Sequence, residues 1–162
     1  MTDIWSKEKR SEVMGRIRGG DTKPERIVRS LLHAMGYRFT VKGPRNRGLP
    51  GKPDIVLPRY QTVVFVHGCF WHRHRGCRYA YTPKSRVEWW EEKFASNVAR
   101  DKKAATGLRK LGWKIVTIWE CELKTEAKQR QVERRLKAAL PVTGSARVAE
   151  KPGTYRTRRR RT

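Results

Sequence analysis

Acidic residues are scarce in this chain: fifteen Asp and Glu stand against thirty-nine Lys and Arg, a formal charge of +24 over 162 residues. The excess is far larger than solubility requires. It runs from Lys7 to Arg161 instead of collecting in one tail, which makes a polyanion the natural partner. Long apolar runs are missing as well, and no signal peptide or amphipathic basic anchor is visible, so nucleic acid is favoured over an anionic membrane surface. Cysteine is sparse, with three residues. An odd count without a secretory signal argues against a disulfide framework and suits reduced thiolates on a metal in a cytoplasmic protein. Charge alone would equally describe a ribosomal or chromatin protein, so function must be read from particular residues. The length supports one domain with a real core and no second one.

Taken in order, residues 1–20 form a basic arm in which Ile4, Trp5, Val13, Met14 and Ile17 are separated by charges. It is expected to be helical from about Ser6 to Arg18 and to contact DNA. Residues 21–141 form the catalytic domain. Its first helix opens with a capping box, Thr22 with Glu25, has Pro24 in the first turn, carries Ile27, Val28, Leu31, Leu32 and Met35 at helical spacing, and closes at Gly36. Residues 37–41 alternate as a strand. A flexible basic loop, Lys42 to Lys52, follows, of a kind that commonly lies along a phosphate backbone. Strands are expected at 53–57, 62–67 and 113–119, with a long helix from Val87 to Lys110 whose inward positions include Trp90, Phe94, Val98 and Leu108. A charged helix spans about 125–140, and residues 142–162 read as a disordered basic tail. This order implies an α/β fold, a mixed central sheet flanked by helices on both faces.

The chemistry is concentrated in residues 66–77, which hold three of the four histidines and two of the three cysteines. Imidazoles and thiolates need polar or metal partners when buried, so such a run is poor core material. Zinc requires four N or S ligands. The candidates are Cys69, Cys77, Cys121 and either His72 or His74, with His74, nearer the middle of the Cys69 to Cys77 span, preferred. His67 and His72 then remain for catalysis. Strand alternation lets His67 project toward the neighbouring strand end that carries Asp54. A carboxylate there, beside an imidazole and facing a basic surface, suits Mg²⁺ and a phosphodiester.

Pro53-Asp54, the block Phe65-Val66-His67-Gly68-Cys69-Phe70-Trp71-His72 and Trp119-Glu120-Cys121 together resemble the very short patch repair endonucleases. The likeness runs in matching order from about Ser6 to Leu140. It implies a restriction-endonuclease-like fold in which Phe65-x-His67 replaces the usual Glu-x-Lys, and nicking 5′ to the T of T:G mismatches left by 5-methylcytosine deamination. By this resemblance Asp54 and the backbone carbonyl of Val66 hold Mg²⁺, His72 activates water, His67 is a second catalytic imidazole, and Glu25 orients His72 or the water. Cys69, His74, Cys77 and Cys121 hold zinc. The segment between His74 and Cys77 is a residue longer than the usual pattern, Arg75-Gly76, a buckle that Gly76 eases. Phe70 and Trp71 wedge between base pairs with Trp90 as helper, and Met14 approaches from the opposite groove. The expected partner is mismatched double-stranded DNA bound by a monomer, with functional links to mismatch-repair proteins and a cytosine-5 methyltransferase, in the bacterial cytoplasm at the nucleoid. Two other readings are a restriction-type nuclease cutting matched sites and a non-catalytic, zinc-stabilised DNA-binding module.

Overall fold

A computed structural model describes residues 6–16 and 20–141, the side chain of Arg10 apart. The expected basic tail and the arm residues Ile4, Trp5 and Ile17 lie outside the described residues. The elements are α1 (Lys7–Arg16), α2 (Lys23–Ala34), α3 (Pro44–Gly48), β1 (Ile55–Leu57), β2 (Thr62–His67), α4 (Val87–Lys110), β3 (Lys114–Trp119) and α5 (Glu126–Ala139). Short 3₁₀ turns at Pro58–Tyr60 and Glu120–Leu123 follow β1 and β3. No helix among the described residues is long and apolar enough to cross a membrane.

The sheet has the order β1-β2-β3. β1 pairs antiparallel with β2, Ile55 opposite Val64, through a tight turn. β3 runs parallel to β2 from Thr62–Lys114 to His67–Trp119, and α4 is the crossover that a parallel pair requires. Alternation divides the apolar side chains between two faces. Ile55, Leu57, Val64, Val116 and Ile118 pack with Val28 and Leu32 of α2 and with Val132 and Leu136 of α5. Val56, Val63, Phe65 and Ile115 meet Leu108 of α4 on the other face. Helices therefore cover both faces, and His67, two residues after Phe65, lies on the α4 side.

Two local features differ from the sequence expectation. Residues 37–41 make a single β-bridge, Thr40 to Val56, instead of a strand. Tyr37 turns into the core at 4 % exposure, its hydroxyl donating to the Leu140 carbonyl at 2.7 Å, and Lys42 leaves in the left-handed region at φ 53°, so pairing ends. The loop after it is structured by α3, whose Asn46 is 2 % exposed.

Gly51 shows how tightly that loop is seated. Its φ is +73°, and a Cβ there would lie 2.5 Å from the Ala104 Cβ of α4 and 3.2 Å from the Phe65 ring. Gly51→Ala should cost about 1–3 kcal/mol through overpacking, beyond its backbone strain. Urea unfolding measures this, and an unchanged midpoint would show that the loop does not rest on α4.

Candidate functional site

Asp54 sits at the entrance to β1. Its Oδ2 accepts the Val66 N–H at 2.7 Å, which joins the first residue of the site to β2. Burial pushes the carboxyl up to about 6; nearby Glu25 adds to the rise, while the Val66 N–H and His72 oppose it. A half-buried carboxylate without a full cationic partner is the arrangement that a hard divalent cation relieves, and oxygen donors are the kind Mg²⁺ selects.

His67 and His72 lie face to face, with ring centroids 3.9 Å apart and planes 5° from parallel. Burial and then the neighbouring His72 pull the His67 imidazole down to about 4, so it is neutral near pH 7. His72 Nδ1 is 2.7 Å from Asp101 Oδ2 on α4. With Nδ1 as donor, the carboxylate fixes the tautomer and leaves Nε2 with a lone pair for a proton. The ligand atoms of His67, His72 and Asp101 also lie within 4.8 Å of one another, but the short His72–Asp101 contact fills that space with a hydrogen bond.

Sequence reasoning missed Asp101. It belongs to the inward stripe of α4, Trp90, Phe94, Asn97, Asp101, Ala104 and Leu108, in steps of three and four residues. Val98, expected inward, is only partly buried. Asn97 is 9 % exposed, donates to the Trp71 carbonyl at 3.2 Å, and so ties the chemical loop to the helix one turn from Asp101.

Glu25 has both carboxylate oxygens engaged at the start of α2. Oε2 accepts the Asp21 N–H at 2.8 Å and Oε1 the Thr22 hydroxyl at 3.0 Å. The same carboxylate lines a cleft of about 320 Å³ with Asp54. Capping and a place beside the site therefore coexist.

Cys69, His74, Cys77 and Cys121 form the second cluster, with ligand atoms all within 4.8 Å of one another. His74 Nδ1 lies 3.6 Å from Cys69 Sγ and 3.3 Å from Cys121 Sγ. A zinc tetrahedron with ordinary Zn–S and Zn–N distances has S–N edges of roughly 3.5 Å, so the cluster could hold zinc. The longer segment before Cys77 is absorbed by Gly76 at φ +72° and by a Cys77 N–H to His74 carbonyl bond of 3.2 Å. Thus His74 joins the thiols while His72 turns to Asp101. The Trp119 ring connects the two clusters, stacked on His74 at 4.3 Å and edge-on to His67 at 5.4 Å.

Phe70 and Trp71 are half-buried and rest on a cluster of aromatic rings. Phe70 meets Trp90 at 5.4 Å and Phe94 at 5.1 Å, and Trp90, 9 % exposed, lies beneath both. The outward aromatics nearby are Trp89 and Tyr81, 44 % and 63 % exposed, which the sequence reading passed over. Met14 is exposed on α1. The hydrogen bonds of α1, such as Arg16 to Glu12, stay within its own segment among the described residues.

Comparison with known proteins agrees with this geometry. The family model described as DNA mismatch endonuclease Vsr matches residues 2–78. A type II nicking enzyme, V.XorIIP of Xanthomonas oryzae pv. oryzae, is 48 % identical over 76 % of this chain and 88 % of its own length. Another, V.NmeAIP of Neisseria meningitidis serogroup A, is 47 % identical over 84 % of this chain and 94 % of its own. The DNA mismatch endonuclease Vsr of Escherichia coli K12 is 41 % identical over 79 % of this chain and 80 % of its own. With its mixed sheet, its helices on both faces and its paired Asp54 and Cys/His clusters, the chain belongs to the Vsr family of DNA mismatch endonucleases, of restriction-endonuclease-like fold.

Proposed function

We propose that this endonuclease nicks one strand of duplex DNA 5′ to the T of a T:G mismatch arising from 5-methylcytosine deamination, and so initiates very short patch repair. The observation that carries the reading is the convergence of Asp54, a neutral His67 and the His72–Asp101 pair at the ends of β1 and β2 on a strongly basic chain.

Asp54 and the Val66 carbonyl would hold Mg²⁺. When bound, the ion supplies charge stabilisation to the phosphodiester during attack and departure of the 3′-oxygen. His72 takes a proton from the attacking water at Nε2, and Asp101 keeps the imidazole aimed and stabilises its protonated form. His67, held neutral by burial, stacks on His72 and orients it near the scissile phosphate without adding a repelling charge. Glu25 fixes the end of α2 beside the cleft and orients water there. Cys69, His74, Cys77 and Cys121 would hold zinc, which fastens the loop carrying Phe70, Trp71 and His72 to the end of β3. Phe70 and Trp71, backed by Trp90, enter the base stack, with Met14 on the opposite groove. Unstacking costs a few kcal/mol per step and less at a wobble pair, so the wedge itself selects mismatches. The protein would work as a monomer in the bacterial cytoplasm, downstream of a cytosine-5 methyltransferase and alongside mismatch-repair proteins.

A panel of labelled T:G duplexes in varied sequence contexts, with matched C:G controls and Mg²⁺, tests this reading. The expected product is a nick in the T strand alone, with 5′-phosphate and 3′-hydroxyl ends, and little cutting of C:G. Cleavage of both strands of matched sites would favour a restriction-type nuclease. Tight binding without metal-dependent nicking in any context would leave a non-catalytic DNA-binding module.

A further inference from the structure

The cleft beside Asp54 carries basic residues that catalysis does not use. Arg29, Lys42, Arg47 and Lys52 line it together with Glu25 and Asp54. These cations are not equivalent. Arg29 is spent on Asp21 in a salt bridge, and Lys42 lies close enough to help hold the Asp21 carboxyl below its usual range. Arg47 and Lys52 are exposed, and neither has an ion-pair partner among the described residues. Arg45 is also exposed and belongs to the same short helix, α3, yet it does not line the cleft.

The backbone that carries Arg47 and Lys52 is held from both sides. Asn46, buried immediately before Arg47, donates from Nδ2 to the Thr40 carbonyl at 3.0 Å and to the Pro53 carbonyl at 3.1 Å, and accepts the Thr40 hydroxyl at 2.9 Å. From the other side, Gly51 sits against Ala104 and Phe65, and Pro50 lies where a Cβ on Gly107 would be 3.1 Å away. Two unneutralised cations therefore project from a backbone that is anchored on both sides and leads into Asp54. Anchoring the backbone before binding removes part of the ordering cost that cations on a flexible loop would incur.

We infer that Arg47 and Lys52 form a phosphate subsite that grips the DNA backbone at a phosphate adjoining the scissile one, so that this anchored segment sets the register of the strand over Asp54. This rests on the endonuclease reading above. Guanidinium and ammonium groups facing one cleft suit an anionic phosphodiester, with Arg47 able to bind two oxygens and Lys52 acting as a point charge.

The test measures equilibrium binding of a T:G duplex without Mg²⁺ at several salt concentrations, together with single-turnover nicking, for the wild type, Arg47→Ala, Lys52→Ala and the charge-matched Arg45→Ala. Arg47→Ala and Lys52→Ala should each weaken binding roughly five- to tenfold at about 0.1 M salt and reduce the salt slope by about 1, while Arg45→Ala stays near wild type. A scan with single neutral methylphosphonates in the nicked strand then locates the contact. One position next to the nick should weaken the wild type but leave Arg47→Ala indifferent. If Arg45→Ala weakens binding as much as Arg47→Ala, or if no methylphosphonate position loses its effect in the variant, the cations provide only diffuse attraction and the subsite is wrong. If the wild type itself does not nick, the endonuclease reading fails, an outcome distinct from failure of the subsite.

Discussion

Asp54→Ala and Asp54→Asn should both reduce Mg²⁺-dependent nicking by on the order of a thousandfold or more, since a divalent ion supplies several kcal/mol of transition-state stabilisation. The two variants separate charge from shape. Asparagine keeps an acceptor for the Val66 N–H, which Asp54 now holds at 2.7 Å; alanine leaves that N–H to find water. Without metal, the ionised carboxylate is a liability to the fold. Its pKa is raised from 3.8 to about 6 by burial, so the penalty appears as pH rises above the unfolded value and is complete above the folded one. The Asn variant should therefore gain up to about 3 kcal/mol over wild type in metal-free buffer near pH 7, and nothing near pH 3. Adding Mg²⁺ should stabilise the wild type and leave the Asn variant unmoved. An Asp54→Asn protein that nicks like wild type would remove Asp54 from metal binding altogether. His72→Ala should lower the rate by on the order of 10²–10⁴, and Asp101→Asn by less, because it disturbs the aim of His72 without removing it.

The framework of this site could be read from the sequence because its residues have few alternative uses. Cys69, His74, Cys77 and Cys121 crowd soft donors together in a way that suits a metal better than an apolar interior, and period-two alternation places His67 on the face of Phe65. Asp101 escaped for the opposite reason. Apolar character alone points to Val98 as an inward position of α4, whereas Asn97 and Asp101 hold the helical spacing from Trp90 and Phe94. A polar residue in an inward stripe signals a partner across the interface, here the Trp71 carbonyl and the His72 imidazole. The rigidity of residues 42–52 was not legible at all. Gly, Pro and Arg suggest a flexible loop, and the restraint comes from Asn46 bonding carbonyls at positions 40 and 53 and from Pro50 and Gly51 seated on α4, a tertiary arrangement that no local pattern encodes. Residues 37–41 alternate correctly for a strand but lack a partner long enough to make one.

Removal of the zinc proposed for the Cys/His cluster should be as damaging as loss of Asp54, through geometry and not through chemistry. Three of the four cluster residues lie on the loop that also presents Phe70, Trp71 and His72, and the fourth, Cys121, comes from the 3₁₀ turn after β3. The loop contributes little regular structure of its own, and its bends include Arg73 at φ 53° and Gly76 at φ +72°. Without a cation, burial pushes the Cys69 and Cys121 thiols up, so these two protonate and the cluster loses the charge that would hold it closed. His74 would then be free to leave the face of Trp119, whose edge also packs on His67, and the stacked His67–His72 pair would lose support from that side. Stripping the metal with a strong chelator near neutral pH should lower Tm by about 10 °C or more and abolish nicking. Zinc should restore both, whereas Mg²⁺ should restore neither, because thiolates are soft ligands. Cys121→Ser should reproduce the chelated state, since it cuts the link between loop and sheet. Metal analysis decides the matter: folded, active protein with zinc near zero per chain would mean that packing of Phe70 against Trp90 and Phe94, not a metal, keeps this loop in place.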